Sequence, residues 1–335
     1  AHVPDARSRG RACQLELSCF GRYCRRRMPK IPRSEPWQHR FVEANGLRFH
    51  VVTSEAAGGR PARGLVLLLH GFPEFWYSWR RQIPAMAAAG FDVAAPDLRG
   101  YNDSDKPDGI EAYRITNVVE DVAGIIRALG HERACIVGHD WGGAAAYAFA
   151  MLHPEMTDRL CVMNSPHPAL FSRELQRGNV EQLRKSWYMF FFQLPDAPER
   201  LLAADNFRIL KGMLAGSARK GTFGPADLRR YAEAFAKPGA LRAAINWYRA
   251  AFRGGLPSVR ELPKIAAPTL IIWGDRDFAL GKELTRGMRK YFSGPFRITY
   301  LPGVSHWVQQ EAPAKVNALL TRFLDARFPN GGPRP

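Results

Sequence analysis

The sequence has no apolar run approaching the roughly 20 residues that a helix needs to cross a bilayer, so no membrane span is expected. None of its five cysteines forms a Cys-x-x-Cys pair or shows zinc-ligand spacing. That sets aside structural zinc and thioredoxin-type redox chemistry. No apolar stretch follows the positive charges near its start, so they do not belong to a signal peptide. Acids are short as well: 31 Asp and Glu stand against 48 Lys and Arg, a formal charge of +17. Such a balance suits nucleic acid or an anionic membrane surface. The spacing of the bases supports a plainer reading. Ten of them, with three acids, lie in positions 1–40, and the rest are scattered without a basic helix stripe. We therefore expect a basic tail, a charged surface and no nucleic-acid partner.

What is present is 46% hydrophobic content over 335 residues. That is enough for one α/β catalytic core with an insertion. Positions 1–27 lack periodicity and end in Arg25-Arg26-Arg27, with Met28 next. We expect 1–40 to be a disordered basic leader and Met28 to be the natural start. Cys13, Cys19 and Cys24 fall in that leader. Cys135 and Cys161 sit in apolar runs and read as small core hydrophobes. Free thiols of this kind fit a reducing, cytoplasmic setting.

From Phe41 to Val52 the pattern is a hairpin, with Asn45-Gly46 supplying the positive φ values of a type I′ turn. Leu65–Leu69 is continuously apolar, as in a strand buried on both faces of a parallel sheet. Further strands are expected at 91–95, 134–137, 160–163, 269–273 and 297–301. Helices are expected at 78–89, 116–129, 142–152 and 312–323, with Thr116 as an N-cap and Gly130 closing its helix. Alternating strands and helices imply a mostly parallel central sheet with helices on both faces. The strand signal vanishes over 168–260, where aromatic-rich helical stretches and Pro195, Pro198 and Pro238 replace it. This reads as a helical lid inserted into a core formed by 41–167 and 261–326, over the carboxyl edge of the sheet.

Val137-Gly138-His139-Asp140-Trp141-Gly142-Gly143 lies between a strand and an Ala-rich helix. That is the layout of a nucleophile elbow, with Asp where Ser is commoner. The residue type decides the chemistry. A carboxylate is ionised at neutral pH, with an ordinary pKa of about 3.9. It is a poor acyl nucleophile but can displace a leaving group from sp³ carbon, giving an alkyl-enzyme ester. Asp140 therefore predicts attack on an epoxide or an alkyl halide. The plain alternative is an acid at a helix N-terminus, held by the dipole.

At this point the sequence resembles the epoxide hydrolases of the α/β-hydrolase superfamily, over about 41–326. His70-Gly71-Phe72-Pro73-Glu74, Asp97-Leu98-Arg99-Gly100-Tyr101 with Ser104-Asp105-Lys106-Pro107, and the elbow all match family segments. Asn102 departs from the family's usual Gly, and Asn tolerates the left-handed conformation. The resemblance implies that the backbone N–H groups of Phe72 and Trp141 form an oxyanion hole. It places the catalytic base at His306 and its orienting acid at Asp277, the second Asp of Gly274-Asp275-Arg276-Asp277-Phe278, with Asp275 a turn residue. It also places two phenols in the lid, Tyr188 and Tyr248, to assist the departing epoxide oxygen. Pro73, Met189, Phe190 and Trp247 are expected to line an apolar substrate pocket. No metal or cofactor is implied, and the partners are a small apolar epoxide and water. The main alternative is a haloalkane or haloacid dehalogenase, which shares the elbow. Its halide-binding Asn or carboxylate-binding Arg has no counterpart in Phe72-Pro73 or in Trp141-Gly142-Gly143. A non-catalytic, ligand-binding hydrolase fold is a further alternative, which the set Asp140, Asp277 and His306 opposes.

Overall fold

Eight strands form one sheet in a computed structural model that describes residues 35–59, 61–254 and 263–328. The expectations for Met28, for disorder over 1–34 and for Cys13, Cys19 and Cys24 lie outside the described residues; 35–40 are described, and from Gln38 they are strand instead of disordered leader. Strands β1 (Gln38–Ala44) and β2 (Leu47–Ser54) pair antiparallel through Asn45 (φ 48°) and Gly46 (φ 73°). This is the turn that the Asn-Gly pair implies. The hairpin begins at Gln38, three residues before the expected Phe41.

The other strands are β3 (Leu65–Leu69), β4 (Asp92–Pro96), β5 (Ala134–His139), β6 (Thr157–Met163), β7 (Thr269–Gly274) and β8 (Phe296–Leu301). Their order across the sheet is β1-β2-β4-β3-β5-β6-β7-β8, and every pairing from β4 to β8 is parallel. β3, β5 and β7 are buried along their whole length. That is why they read as unbroken apolar runs.

The first three helices are α1 (Ile83–Ala88), α2 (Ile115–Ala128) and α3 (Trp141–Leu152). Two details differ from expectation. The segment expected as one helix over 78–89 splits into a 3₁₀ turn at Trp76–Trp79 and α1, whose second residue is Pro84. Proline suits a first helical turn and not an interior. α2 starts after Arg114, so Thr116 lies inside it and caps nothing by its side chain. Gly130 does end α2, at φ 82°.

Between β6 and β7 lie α4 (Pro168–Gln176), α5 (Val180–Lys185), α6 (Trp187–Phe191), α7 (Ala197–Ser217), α8 (Pro225–Ala236) and α9 (Ala240–Arg253). α10 (Val308–Glu311) and α11 (Pro313–Asp325) follow β8. α2 packs against α3, and α1 against α11, giving a helix layer on each face of the sheet. The inserted helices are tied to the core by specific bonds. Trp247 Nε1–H donates to the Arg99 carbonyl at 3.1 Å, Tyr77 O–H to Asp227 at 2.9 Å, and Gln182 Nε2–H to the Ala279 carbonyl at 2.9 Å. α7 is broken by Asp205, Asn206 and Phe207, all at positive φ.

Candidate active site

The end of β5 passes into α3 through Asp140, whose backbone sits at φ 52°, ψ −119°. A non-glycine residue held there is strained, and such strain persists only where packing overdetermines it. The neighbouring glycines show that packing. A Cβ on Gly142 would fall 2.1 Å from the Leu69 carbonyl oxygen, and one on Gly71 would fall 2.4 Å from Asp140 Cβ. Only residues without side chains allow β3, the loop after it and α3 to meet so closely. The result aims the Asp140 carboxylate at the Phe72 N–H, which donates to Oδ1 at 2.9 Å. Trp141 is the first residue of α3. Its N–H is one of the donors that a helix start leaves without an intrahelical partner.

His306 follows β8, and its ring is buried. Nδ1 meets Asp277 Oδ2 at 2.7 Å, and Nε2 stands 3.6 Å from Asp140 Oδ2. The three expected residues therefore converge from the ends of β5, β7 and β8. Asp277 is held firmly. Its Oδ1 accepts the N–H groups of Ala279 (2.8 Å) and Leu280 (2.9 Å), and its Oδ2 accepts Asn164 Nδ2–H at 2.7 Å. Burial would raise the Asp277 carboxyl, but the His306 charge and these bonds outweigh it and hold it below the ordinary range. Burial would lower the His306 imidazole. The Asp277 and Asp140 carboxylates override that and raise it to about 9. Asp275 instead accepts the Gly303 N–H at 2.8 Å, the turn role expected for it.

Two supports were not foreseen. Asn164, at φ 39° beyond β6, bonds Asp277 and also accepts the Gly274 N–H at 2.8 Å, locking the strand end that carries the acid. Buried His139 bridges Glu74 (2.8 Å) and the His306 carbonyl (2.9 Å), so the backbone of the base is anchored too. Asn at a strand end is a signal for a left-handed turn, but its partner lies 110 positions away.

Tyr188 on α6 and Tyr248 on α9 meet edge-to-face, with ring centroids 5.9 Å apart. Tyr248 also stands edge-on to Trp141 (5.0 Å) and Phe72 (5.5 Å), which puts the phenols beside the nucleophile. Burial raises both phenols above their ordinary value, and the Asp140 charge adds to it. Both are therefore fully protonated donors at neutral pH.

The expected pocket residues fare differently. A cavity of about 520 Å³ opens beside Tyr188, lined by Phe191, Phe192, Leu202, Met213 and Phe278 among others. Pro73, Met189, Phe190 and Trp247 are not in its lining, and neither are Asp140, His306, Phe72, Trp141 or Tyr248. Met189 and Trp247 are buried, as is Pro73, and Phe190 is 48% exposed against Phe252. Helical spacing explains the difference. Tyr188, Phe191 and Phe192 stand three and four positions apart and share one face. Met189 and Phe190 project to others.

Residues 64–313 match the family described as alpha/beta hydrolase fold. The chain is 39% identical over 288 residues to epoxide hydrolase 4 of Mus musculus, covering 84% of this chain and 78% of that one. The chain belongs to the epoxide hydrolase family of the α/β-hydrolase fold. It is also 41% identical over 285 residues to the AB hydrolase superfamily protein YfhM of Bacillus subtilis, with 85% and 96% covered. Among solved structures, an epoxide hydrolase of Bacillus megaterium in complex with an inhibitor superposes with a TM-score of 0.78. Its identity is 32%, over 86% of this chain and 100% of that one. Among the described residues no helix is long and apolar enough to cross a membrane.

Proposed function

We propose that this enzyme opens epoxides to vicinal diols through an ester on Asp140. The observation that carries the reading is the pairing of a carboxylate at the elbow, instead of a hydroxyl, with two phenols near it, Tyr248 buried and Tyr188 half-buried. Phe72 N–H holds Oδ1, which leaves Oδ2 as the attacking atom. Oδ2 bonds to an epoxide carbon, and the ring C–O bond breaks toward the oxygen. Tyr188 and Tyr248 hydrogen-bond that oxygen, and a phenol supplies its proton. The His306 imidazolium makes good this proton, directly or through solvent. Ester formation also removes the Asp140 charge that had helped keep His306 protonated. The neutral imidazole then takes a proton from water, with Asp277 stabilising the cation formed. Water adds to the ester carbon. The Phe72 and Trp141 N–H groups meet the resulting oxyanion, and the diol leaves with the proton from His306.

A single turnover in H₂¹⁸O with enzyme in excess tests this. The label should enter the Asp140 side chain while the diol carries unlabelled oxygen from the carboxylate. Label in the diol at the first turnover refutes the ester and assigns direct attack by water. Release of halide from a 1-haloalkane, without diol from styrene oxide, moves the enzyme to dehalogenation. Binding of the epoxide without turnover favours a ligand-binding role.

A further inference from the structure

Among the described residues nine large hydrophobic side chains are exposed, and seven of them fall between Val180 and Phe278. Scattered singly they would need no explanation, but a cluster marks an interaction site. Several are demonstrably together. Phe190 and Phe252 are in edge-to-face contact at 5.4 Å, joining α6 to α9. Trp187, Leu201 and Phe278 line the same 520 Å³ cavity, and all three are exposed, Trp187 by 61%. The cavity that reaches Tyr188 therefore opens within this apolar surface.

Charge says what covers it. Positions 168–254 hold fifteen Lys and Arg against seven Asp and Glu, so about half of the chain's excess of +17 is gathered in about a quarter of its residues. Arg184 and Lys185 stand at the cavity itself, and Arg253 follows Phe252. The Lys185 charge is offset by Glu181 at 3.0 Å. Arg184 and Arg253 have no acidic partner among the described residues. A second copy would bring the same cations against one another. Aromatic and aliphatic side chains fringed by cations fit the anionic headgroup region of a lipid bilayer.

We propose that the outer surface of α6, the end of α9 and the cavity mouth docks on anionic lipid. Apolar side chains enter the acyl boundary and the bordering arginines meet headgroups. If the epoxide reading holds, the mouth then faces the phase in which apolar epoxides concentrate. Docking itself does not depend on that reading.

Cosedimentation of the full chain with vesicles tests the proposal. Phosphatidylcholine vesicles containing phosphatidylglycerol should carry the protein down at low salt, and pure phosphatidylcholine vesicles much less. Leu194, exposed just beyond α6, is held to α9 by its carbonyl, which accepts Arg249 Nη2–H at 2.6 Å, and L194S/F252S alters only exposed residues outside the cavity lining and the reacting groups. It should weaken sedimentation about tenfold while styrene oxide turnover persists. R184E should weaken sedimentation comparably, and serves as the test if the double variant does not fold. Undiminished binding by both variants assigns the affinity to basic residues elsewhere, those of 1–40 included, and overturns the proposal. So does absence of binding to either vesicle, or a dimer of the wild-type chain that L194S/F252S abolishes.

Discussion

Replacing Asp140 by asparagine should lower the pKa of His306, and the size of the fall follows from the geometry. Asp140 Oδ2 lies 3.6 Å from Nε2, and the Asp277 carboxylate holds the other nitrogen at 2.7 Å. Together they raise the buried imidazole to about 9. Two unit charges about 4 Å apart interact by about 4 kcal/mol at an effective dielectric constant of about 20. Solvent reaching the open side of Asp140 reduces that. Nearby opposite charges shift pKa values by about 1–3, equivalent to about 1.4–4 kcal/mol. The amide keeps the shape of the carboxylate and removes its charge, as ester formation would. The His306 midpoint should therefore fall by about 1–3, toward the range in which a base works at neutral pH. Titration of the imidazole C–H resonances by NMR reads this directly, with H306A identifying the signal among nine histidines. An unchanged midpoint in D140N would show that Asp140 contributes nothing to the charge on the base. The proposed coupling of alkylation to base activation would then fail.

Y188F and Y248F should each slow alkylation, measured by stopped-flow single turnover. The double variant should lose about 10²–10⁴-fold, and a single variant at wild-type rate would remove that phenol from the reaction. N164A should cost about 1.5–3 kcal/mol by chemical denaturation, since it deprives the buried Asp277 carboxylate of a 2.7 Å bond; unaltered stability would refute the supporting role. G142A should fail to fold or to express soluble protein, because its Cβ would meet the Leu69 carbonyl at 2.1 Å. G212A, with nothing within 4 Å, should leave stability unchanged or raise it by up to about 1 kcal/mol. The raised His306 pKa also sets a pH dependence of stability. Its contribution is complete below the ordinary value of 6.5 and is lost as pH rises through about 9. Unfolding free energies measured across that window should decline in the wild type and flatten in H306Q.

The legible parts of the molecule are those in which local chemistry and the fold agree. Asn45-Gly46 can hardly do anything but turn a hairpin, and Leu65–Leu69 has no polar face to show to water. The elbow is readable because Gly138, Asp140 and Gly142 are each required by a separate steric or chemical demand. Elsewhere the deciding contact is distant. Thr116 looks like a cap because Ser and Thr often are, yet the chain turns into α2 two residues earlier, at Arg114. Asn164 and His139 act through partners more than a hundred positions away, so no window of sequence could have paired them with Asp277 or His306.

The directions taken by the lid aromatics have a different cause, and they bear on how lids should be read. Five aromatic or apolar residues in a row, Tyr188 to Phe192, look equally suited to a pocket. On a helix they cannot share one. α6 sends Tyr188, Phe191 and Phe192 to the cavity and Met189 to the core, and leaves Phe190 outside on Phe252. The first direction lines the cavity beside Tyr188, and core packing accounts for the second. The third does neither, and a phenylalanine kept in water against exposed Phe252 suits the proposed docking surface. The residue whose neighbours look equally suited to a pocket is thus the one left on the surface.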